Sequence, residues 1–151
     1  MVNIRKAKAS DVEAIYSLIN MYAQQGLLLP RTRDSLYENL QAICVATIDD
    51  QVVGAASLHV LGKDLSEIRS LVVAEEAKGR GVGKLLVEQI VEETRKIEIK
   101  KLISLTYQVT FFEKCGFQVI QKDEMPQKVW KDCLNCSKFP TCDEIAMAIY
   151  V

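Results

Sequence analysis

The stretch Glu76-Ala-Lys-Gly-Arg-Gly-Val-Gly-Lys-Leu-Leu86 constrains this chain more than any other. It follows an apolar run, Leu71-Val72-Val73, that reads as the end of a strand. It opens an amphipathic run, Leu85 to Ile97, that reads as a helix. Gly79, Gly81 and Gly83 sit at the junction. Glycine admits positive φ and lets a ligand approach the main chain closely. A helix start leaves its first N–H groups without partners and carries the positive end of the helix dipole. Strand, glycine turn and helix in that order form a cradle for an anion, phosphate or pyrophosphate above all. The bland alternative is a glycine-rich helix start that binds nothing. The stretch lacks the Lys-Ser/Thr end of a P-loop, and it follows several strands rather than the first, which argues against a dinucleotide fingerprint.

The elements around it can be read in chain order. Val2 to Ala7 alternates apolar and polar residues, as a short strand does. Ser10-Asp-Val-Glu13 matches a capping box, and Val12, Ile15, Tyr16, Leu18, Ile19 and Tyr22 then mark one face of a helix that ends at Gly26. A second helix covers about Arg33 to Gln41. Ile43 to Ile48 and Val52 to Val60 form a hairpin about Asp49-Asp50-Gln51, with Gly54 marking a bulge or a close backbone approach. Leu65 to Val73 is the next strand; strict alternation sets Glu67, Arg69, Leu71 and Val73 against Ile68, Ser70 and Val72. After the glycine stretch and its helix come a strand at Lys101 to Thr106 and a short helix at Val109 to Lys114 capped by Gly116. Strands at Phe117 to Ile120 and Ile145 to Val151 complete the order, and the polar, cysteine-rich Met125 to Asp143 reads as irregular. Seven strands and four helices in this order imply an α/β or α+β domain with a mixed sheet. The strands at 65–73 and 101–106 should be its parallel pair, joined through the glycine-stretch helix.

The chain has 151 residues, which suits a single domain spanning 1–151. A net charge of −1 gives no basic surface for nucleic acid or an anionic membrane. No apolar run reaches the ~18 residues of a membrane span, and no apolar leader opens the chain, so a cytoplasmic protein is expected. In that compartment the five cysteines should be thiols or metal ligands rather than disulfides.

Two motifs then carry a family resemblance. Lys78-Gly-Arg-Gly-Val-Gly83 resembles the acyl-CoA-binding signature of the Gcn5-related N-acetyltransferase (GNAT) superfamily, and Phe111-Phe-Glu-Lys-Cys-Gly-Phe117 resembles that family's Phe-Tyr-Glu-Lys-x-Gly-Phe segment. They occur in the family's order. The resemblance implies a mostly antiparallel central sheet of six to seven strands with a splayed parallel pair, flanked by about four helices. More narrowly, Leu28-Leu-Pro-Arg31, Leu58-His-Val60, Glu67-Ile-Arg-Ser-Leu71, Leu105-Thr-Tyr107 and Lys128-Val-Trp-Lys-Asp-Cys-Leu-Asn-Cys136 are similar to the short bacterial N-acetylglutamate synthases of arginine biosynthesis. That implies acetyl transfer from acetyl-CoA, the co-substrate, to the α-amine of L-glutamate. Two positions depart from the superfamily pattern: Lys78 replaces the usual Gln or Arg, and Phe112 stands where a tyrosine often serves as acid to the departing thiolate.

Such a transfer needs a CoA site, a donor for the developing oxyanion and a deprotonated amine; an acid for the leaving thiolate is optional. The resemblance places CoA on Leu71, Val72, Val73, Lys78, Gly79, Arg80, Gly81, Val82, Gly83 and Lys84, with Phe111 and Phe112 nearby. A main-chain N–H near Leu71 or Val72 would polarise the thioester, and the strand end would pair with the pantetheine arm. Glu67 stands where the family often carries a base; its structural alternative is a charge paired with Arg69 or Lys63. Tyr107 is the substitute for the missing acid, against the reading of a packed tyrosine. Two acceptor carboxylates call for cations, so Arg31, Arg69 and Lys128 are the candidates, with Ser70 beside them and Arg33 in reserve. His59, the only histidine, reads as structural.

Cys133, Cys136 and Cys142 are spaced Cys-x2-Cys-x5-Cys. Zinc would need a fourth ligand, from Cys115, Cys44, His59 or Asp143. Redox-sensitive thiols and plain packing cysteines stand as the alternatives. Two other functions stay open beside glutamate acetylation. One is acetyl transfer to another amino acid or small amine; the other is a CoA-binding sensor without turnover. A homodimer is the assembly left open.

Overall fold

The computed structural model describes residues 1–121 and 144–151. Seven strands hydrogen-bond in the order β1-β2-β3-β4-β5-β7-β6 among these residues. They are β1 Val2–Lys6, β2 Ile43–Ile48, β3 Gln51–Gly62, β4 Leu65–Val73, β5 Lys101–Thr106, β6 Gln118–Val119 and β7 Ile145–Tyr150. Four α-helices accompany them: α1 Val12–Gln24, α2 Arg33–Glu38, α3 Val82–Lys96 and α4 Val109–Lys114. The expected fold class is the observed one. The chain groups into two compact units, one of Met1–His59 and Ile68–Glu93, the other of Val60–Glu67 and Thr94–Val151.

In the first unit β1 pairs antiparallel with β2, and β2 with β3. Asp49 and Asp50 both have positive φ, 51° and 63°, the two-residue turn that matches strand twist. The β2–β3 register shifts where Ala46 faces Gly54 and Thr47 faces Val52, so Val53 is the extra residue of a bulge. The Val53 carbonyl then accepts the Ala74 N–H at 2.7 Å. A Cβ on Gly54 would lie 3.0 Å from Leu86 Cδ1, Val82 Cγ1 and the Val72 carbonyl oxygen. The glycine therefore sets how closely α3 packs on the sheet, as its sequence position suggested. Val12, Ile15, Ile19, Tyr22, Leu36, Ile43, Val45, Ala55 and Val72 form this unit's core.

The start of α1 differs from expectation. Ser10 is not its cap. A 3-10 turn, Ala9–Asp11, precedes the helix, and the Asp11 carboxylate accepts the Lys8 N–H at 2.7 Å. The Arg5 guanidinium grips the same carboxylate at 2.7 and 3.1 Å, a fork that only a carboxylate can fill. Arg5 above all holds the Asp11 carboxyl below its usual range. Glu13 instead faces Arg33, whose Nε donates to both its oxygens at 2.8 and 3.1 Å. At the other end Gly26, φ +76°, closes the helix: its N–H reaches Ala23 O and the Leu27 N–H reaches Tyr22 O. The expected second helix splits into α2, capped by Thr32 Oγ1 accepting the Ser35 N–H, and a 3-10 turn at Leu40–Ala42.

In the second unit β4 and β5 are parallel, with only Leu65–Lys101, Ser66–Leu102 and Glu67–Ile103 in register. The ladder stops there, although both strands run on. Strand β7 pairs antiparallel with β5 along six residues and with β6 along two. Ile103, Ala146 and Ala148 form a core patch with Leu61, Leu65, Leu105 and Ile120 against it. Helix α4 ends at Gly116, φ +98°, with the Phe117 N–H bonded to Phe112 O at 3.0 Å.

Candidate active site

The glycine stretch is the first part of the site. After β4 the chain makes a 3-10 turn, Glu75–Ala77, and enters α3 at Val82. Buried Val82 and Leu86 anchor the first turn of this helix, with Gly83 between them at a cost in helix propensity. Gly79 and Gly81 have φ of +84° and +75°, and a Cβ at either would meet no atom within 4 Å. Their requirement is thus conformational rather than steric. Two left-handed residues leading into a fifteen-residue helix give the geometry that main-chain anion sites use. Arg80 and Lys84 are exposed on it. The Lys78 ammonium bonds Glu75 at 3.0 Å and lies 5.3 Å from the centre of the Tyr22 ring. Glu75 first, then Tyr22, raise its pKa above the ordinary lysine value. The Tyr22 hydroxyl donates to the Val73 carbonyl at 2.6 Å, tying α1 to the end of β4.

The second part is a cavity of about 130 Å³ within the same unit. Ile15, Ile19, Leu36, Ile43, Ala55 and Ala56 give it an apolar lining. Arg31, Ser35, Asn39, Ser57, His59, Arg69 and Ser70 give it a polar one. No described carboxylate lines it, and its two cationic residues, Arg31 and Arg69, favour an anion. Arg31 is placed through its main chain: the Asn20 amide donates to Arg31 O at 3.1 Å and to Tyr16 O at 2.9 Å. No described carboxylate is within ion-pair reach of Arg31. Arg33, the reserve candidate, does not line the cavity. It is spent on Glu13 and stacks 4.1 Å from the Tyr16 ring centre.

Strand β4 departs from strict alternation here. Ser70 has a φ of +56°, a conformation that costs a residue with a side chain about 1–2 kcal/mol. The expected opposition of Arg69 and Ser70 on two faces is therefore wrong: both line the cavity. Such strain persists only where the surroundings hold it, and it gathers at functional sites. One holding contact is plain. Ser57 Oγ donates to the carbonyl of Arg69 at 3.0 Å and lies 3.0 Å from His59 Nε2. Sequence reasoning left Ser57 unnoticed and read His59 as structural. The available signal was their spacing of two on β3, which puts both on one face.

The second unit holds other expected residues. Glu67 is buried at 5 % exposure, in register with Ile103. It lies three residues before Ser70 on β4. Tyr107 follows β5 in a bend held by Thr106 Oγ1, which accepts the Gln108 N–H at 2.7 Å. Phe112 is buried, in edge-on contact with Phe111 and Phe117 at 5.1 and 5.0 Å. It has no polar atom, so it packs the core where a tyrosine would also offer a hydroxyl.

Lys128, Cys133, Cys136 and Cys142 lie outside the described residues. Among the described residues no group of three or more His, Cys, Asp and Glu could hold a metal ion. Cys44, one suggested fourth ligand, donates its thiol to Glu93 Oε2 at 2.7 Å. Burial, then Glu93, push its pKa up to about 12, so it is held as a thiol against that carboxylate. No described helix is long and apolar enough to cross a membrane.

Comparison with known proteins adds a second line of observation. Residues 39–119 match the family described as acetyltransferase (GNAT) domain. An uncharacterized N-acetyltransferase of Chlorobaculum tepidum is 37% identical over 95% of this chain and 93% of its own length. The amino-acid acetyltransferase of Mycobacterium tuberculosis is 34% identical over 85% of this chain and 75% of its own length. The corresponding enzyme of Neisseria meningitidis is 32% identical over 87% of this chain, which spans only 30% of that longer protein. Among solved structures, N-acetylglutamate synthase of Neisseria gonorrhoeae, complexed with coenzyme A and N-acetyl-glutamate, superposes with a TM-score of 0.90 at 28% identity. That match covers 99% of this chain and 35% of the other. A Mycobacterium tuberculosis protein in complex with CoA superposes with a TM-score of 0.85 at 29% identity, over 99% of both chains.

Proposed function

This chain belongs to the GNAT acetyltransferase family, and on that premise we propose that it carries the acetyl group of acetyl-CoA to the α-amine of L-glutamate. It is an acetyl-CoA-dependent N-acetyltransferase; the acceptor and the roles of its residues are our reading. The observation that carries the choice of acceptor is the cavity. It sets Arg31, without a carboxylate partner among the described residues, together with Arg69 and Ser70 above an apolar floor. An amino acid with a second carboxylate matches two guanidinium groups. Relatives named amino-acid acetyltransferase, and a similar structure holding N-acetyl-glutamate, support the same reading.

The chemistry is then a direct transfer within one acetyltransferase domain. The left-handed glycines and the first turn of α3 take the pyrophosphate of CoA, with Arg80 and Lys84 adding charge at the rim and Lys78 beside them. The end of β4, Leu71 to Val73, pairs with the pantetheine arm, and a main-chain N–H there polarises the thioester carbonyl. Glu67 takes the proton of the acceptor ammonium, directly or through water. The amine nitrogen attacks the carbonyl carbon, the adduct nitrogen gives up its second proton to water, the C–S bond breaks, and CoA departs as the thiolate. Tyr107 is the group assigned to protonate it, since Phe112 offers no proton. Lys128 remains assigned to the acceptor. In this reading the protein is cytoplasmic and serves arginine biosynthesis.

The test is thiol release from acetyl-CoA with a panel of amino acids and small amines, the product identified by mass spectrometry. Glutamate is expected to give the highest kcat/KM. Robust turnover of another amine with none for glutamate would overturn the acceptor assignment and leave the enzyme class intact.

A further inference from the structure

The hydrogen bonds around Ser57 impose an order on three groups. A serine hydroxyl carries one proton and can accept with its lone pairs. The Arg69 carbonyl can only accept, so the Ser57 proton is committed to it at 3.0 Å. The contact of 3.0 Å between Ser57 Oγ and His59 Nε2 must then run the other way, from Nε2–H to Oγ. The chain is His59 Nε2–H to Ser57 Oγ–H to Arg69 C=O. It ends on the peptide that leads into Ser70, the residue whose φ is +56°. Ser57, His59, Arg69 and Ser70 all line the one cavity, and Ser57 itself is buried at 5 % exposure.

We propose that Ser57 and His59 are positioning residues: their hydrogen-bond chain holds the Arg69–Ser70 peptide in its left-handed turn, so that both residues face the acceptor. Without that turn β4 would return to ordinary alternation, and Arg69 and Ser70 would point to opposite faces. The Ser57 hydroxyl supplies the anchor. The histidine fixes the direction of that hydroxyl, because a ring protonated on Nε2 leaves Ser57 no alternative acceptor there. Neither side chain is asked to exchange a proton with the substrate. The kinetic part of this inference rests on the acetyltransferase reading above; the hydrogen-bond part stands without it.

Two measurements test it. Nitrogen-15 NMR of the imidazole is expected to show Nε2–H in the wild type and a mixed tautomer population in Ser57→Ala. A neutral His59 protonated on Nδ1 alone in the wild type overturns the chain of bonds, whatever the enzyme acetylates. Kinetics on the most active acceptor read the second part. Ser57→Ala is expected to raise the acceptor KM or lower kcat at least about tenfold while the KM for acetyl-CoA stays within about twofold, a selectivity that a general packing defect lacks. Ser57→Thr keeps the hydroxyl, and His59→Gln keeps an N–H donor; each is expected to recover most of the loss that Ser57→Ala and His59→Phe show. Should Ser57→Ala fail to fold, the His59→Gln and His59→Phe pair carries the comparison. A folded Ser57→Ala with wild-type constants, or equal loss in His59→Gln and His59→Phe, overturns the positioning role.

Discussion

The glycine loop and the arginine-lined cavity sit in the same compact unit but are built by opposite means. The loop is seven consecutive residues, Lys78 to Lys84, and its function as we propose it lies in main-chain N–H groups and two left-handed glycines. The cavity draws on α1, the loop after it, α2, β2, β3 and β4, and as we propose it works through side chains. A site made of backbone tolerates changes of side chain but not of φ. A site made of side chains tolerates little at its charged groups, yet much at neighbouring charges that point elsewhere.

That contrast can be broken most sharply at Arg31. Truncation to alanine leaves the acceptor carboxylate without its partner. We expect the glutamate KM to rise roughly a hundredfold, the factor that about 3 kcal/mol gives, with the acetyl-CoA KM unchanged. Lysine should recover only part of this, since it cannot present the planar fork. Equal changes in both KM values would mean that loop and cavity are not separable. On the loop side, Gly81→Ala puts a side chain on a residue at φ +75°. The left-handed penalty of about 1–2 kcal/mol should appear as a loss of roughly tenfold in acetyl-CoA affinity, read by calorimetry, with acceptor kinetics little altered.

The scaffold beneath each half gives the next tests, read as stability. Gly54→Ala forces a methyl to 3.0 Å from a backbone oxygen and from Leu86 and Val82 of α3. Overpacking of this kind should cost about 1–3 kcal/mol in urea unfolding. Asp11 serves the cavity side, because it orders the start of α1, which carries Ile15, Ile19 and Asn20. Its carboxyl titrates below the unfolded value near 4, held there first by Arg5. Its contribution is therefore complete above the unfolded pKa and is lost as pH falls through the folded one. Asp11→Asn should lower stability by about 2 kcal/mol at pH 7, and the gap to wild type should close as the pH is lowered toward about 2. A gap that persists in acid would show that charge is not what Asp11 contributes.

The smallest effect is expected at Arg33. Its guanidinium is exposed and already held by Glu13, so Arg33→Ala should leave the acceptor KM within about twofold. Two arginines two residues apart would then differ widely in effect, one because it faces the cavity and the other because it does not.

The sequence alone determined whatever is local. The glycine cradle, the caps at Gly26 and Gly116, the Asp49–Asp50 turn and the bulge at Gly54 are each set by residues within a few positions, so their physics is visible in a short window. Strand boundaries were legible for the same reason, because β2 is an apolar run and β4 and β5 interleave apolar with polar residues. Tertiary structure decided what depends on distant partners. Asp11 rather than Ser10 orders the start of α1 because Arg5, on β1, reaches it. Arg33 is excluded from the cavity by Glu13, twenty positions away. Arg69 and Ser70 face the same cavity because a left-handed residue interrupts β4, and nothing in Arg-Ser-Leu announces a positive φ. His59 joins the site because the turn after β3 sets Ser57 against the Arg69 carbonyl. An anion cradle of backbone can be written in one stretch of sequence, whereas a cavity of side chains exists only once the chain has brought its walls together.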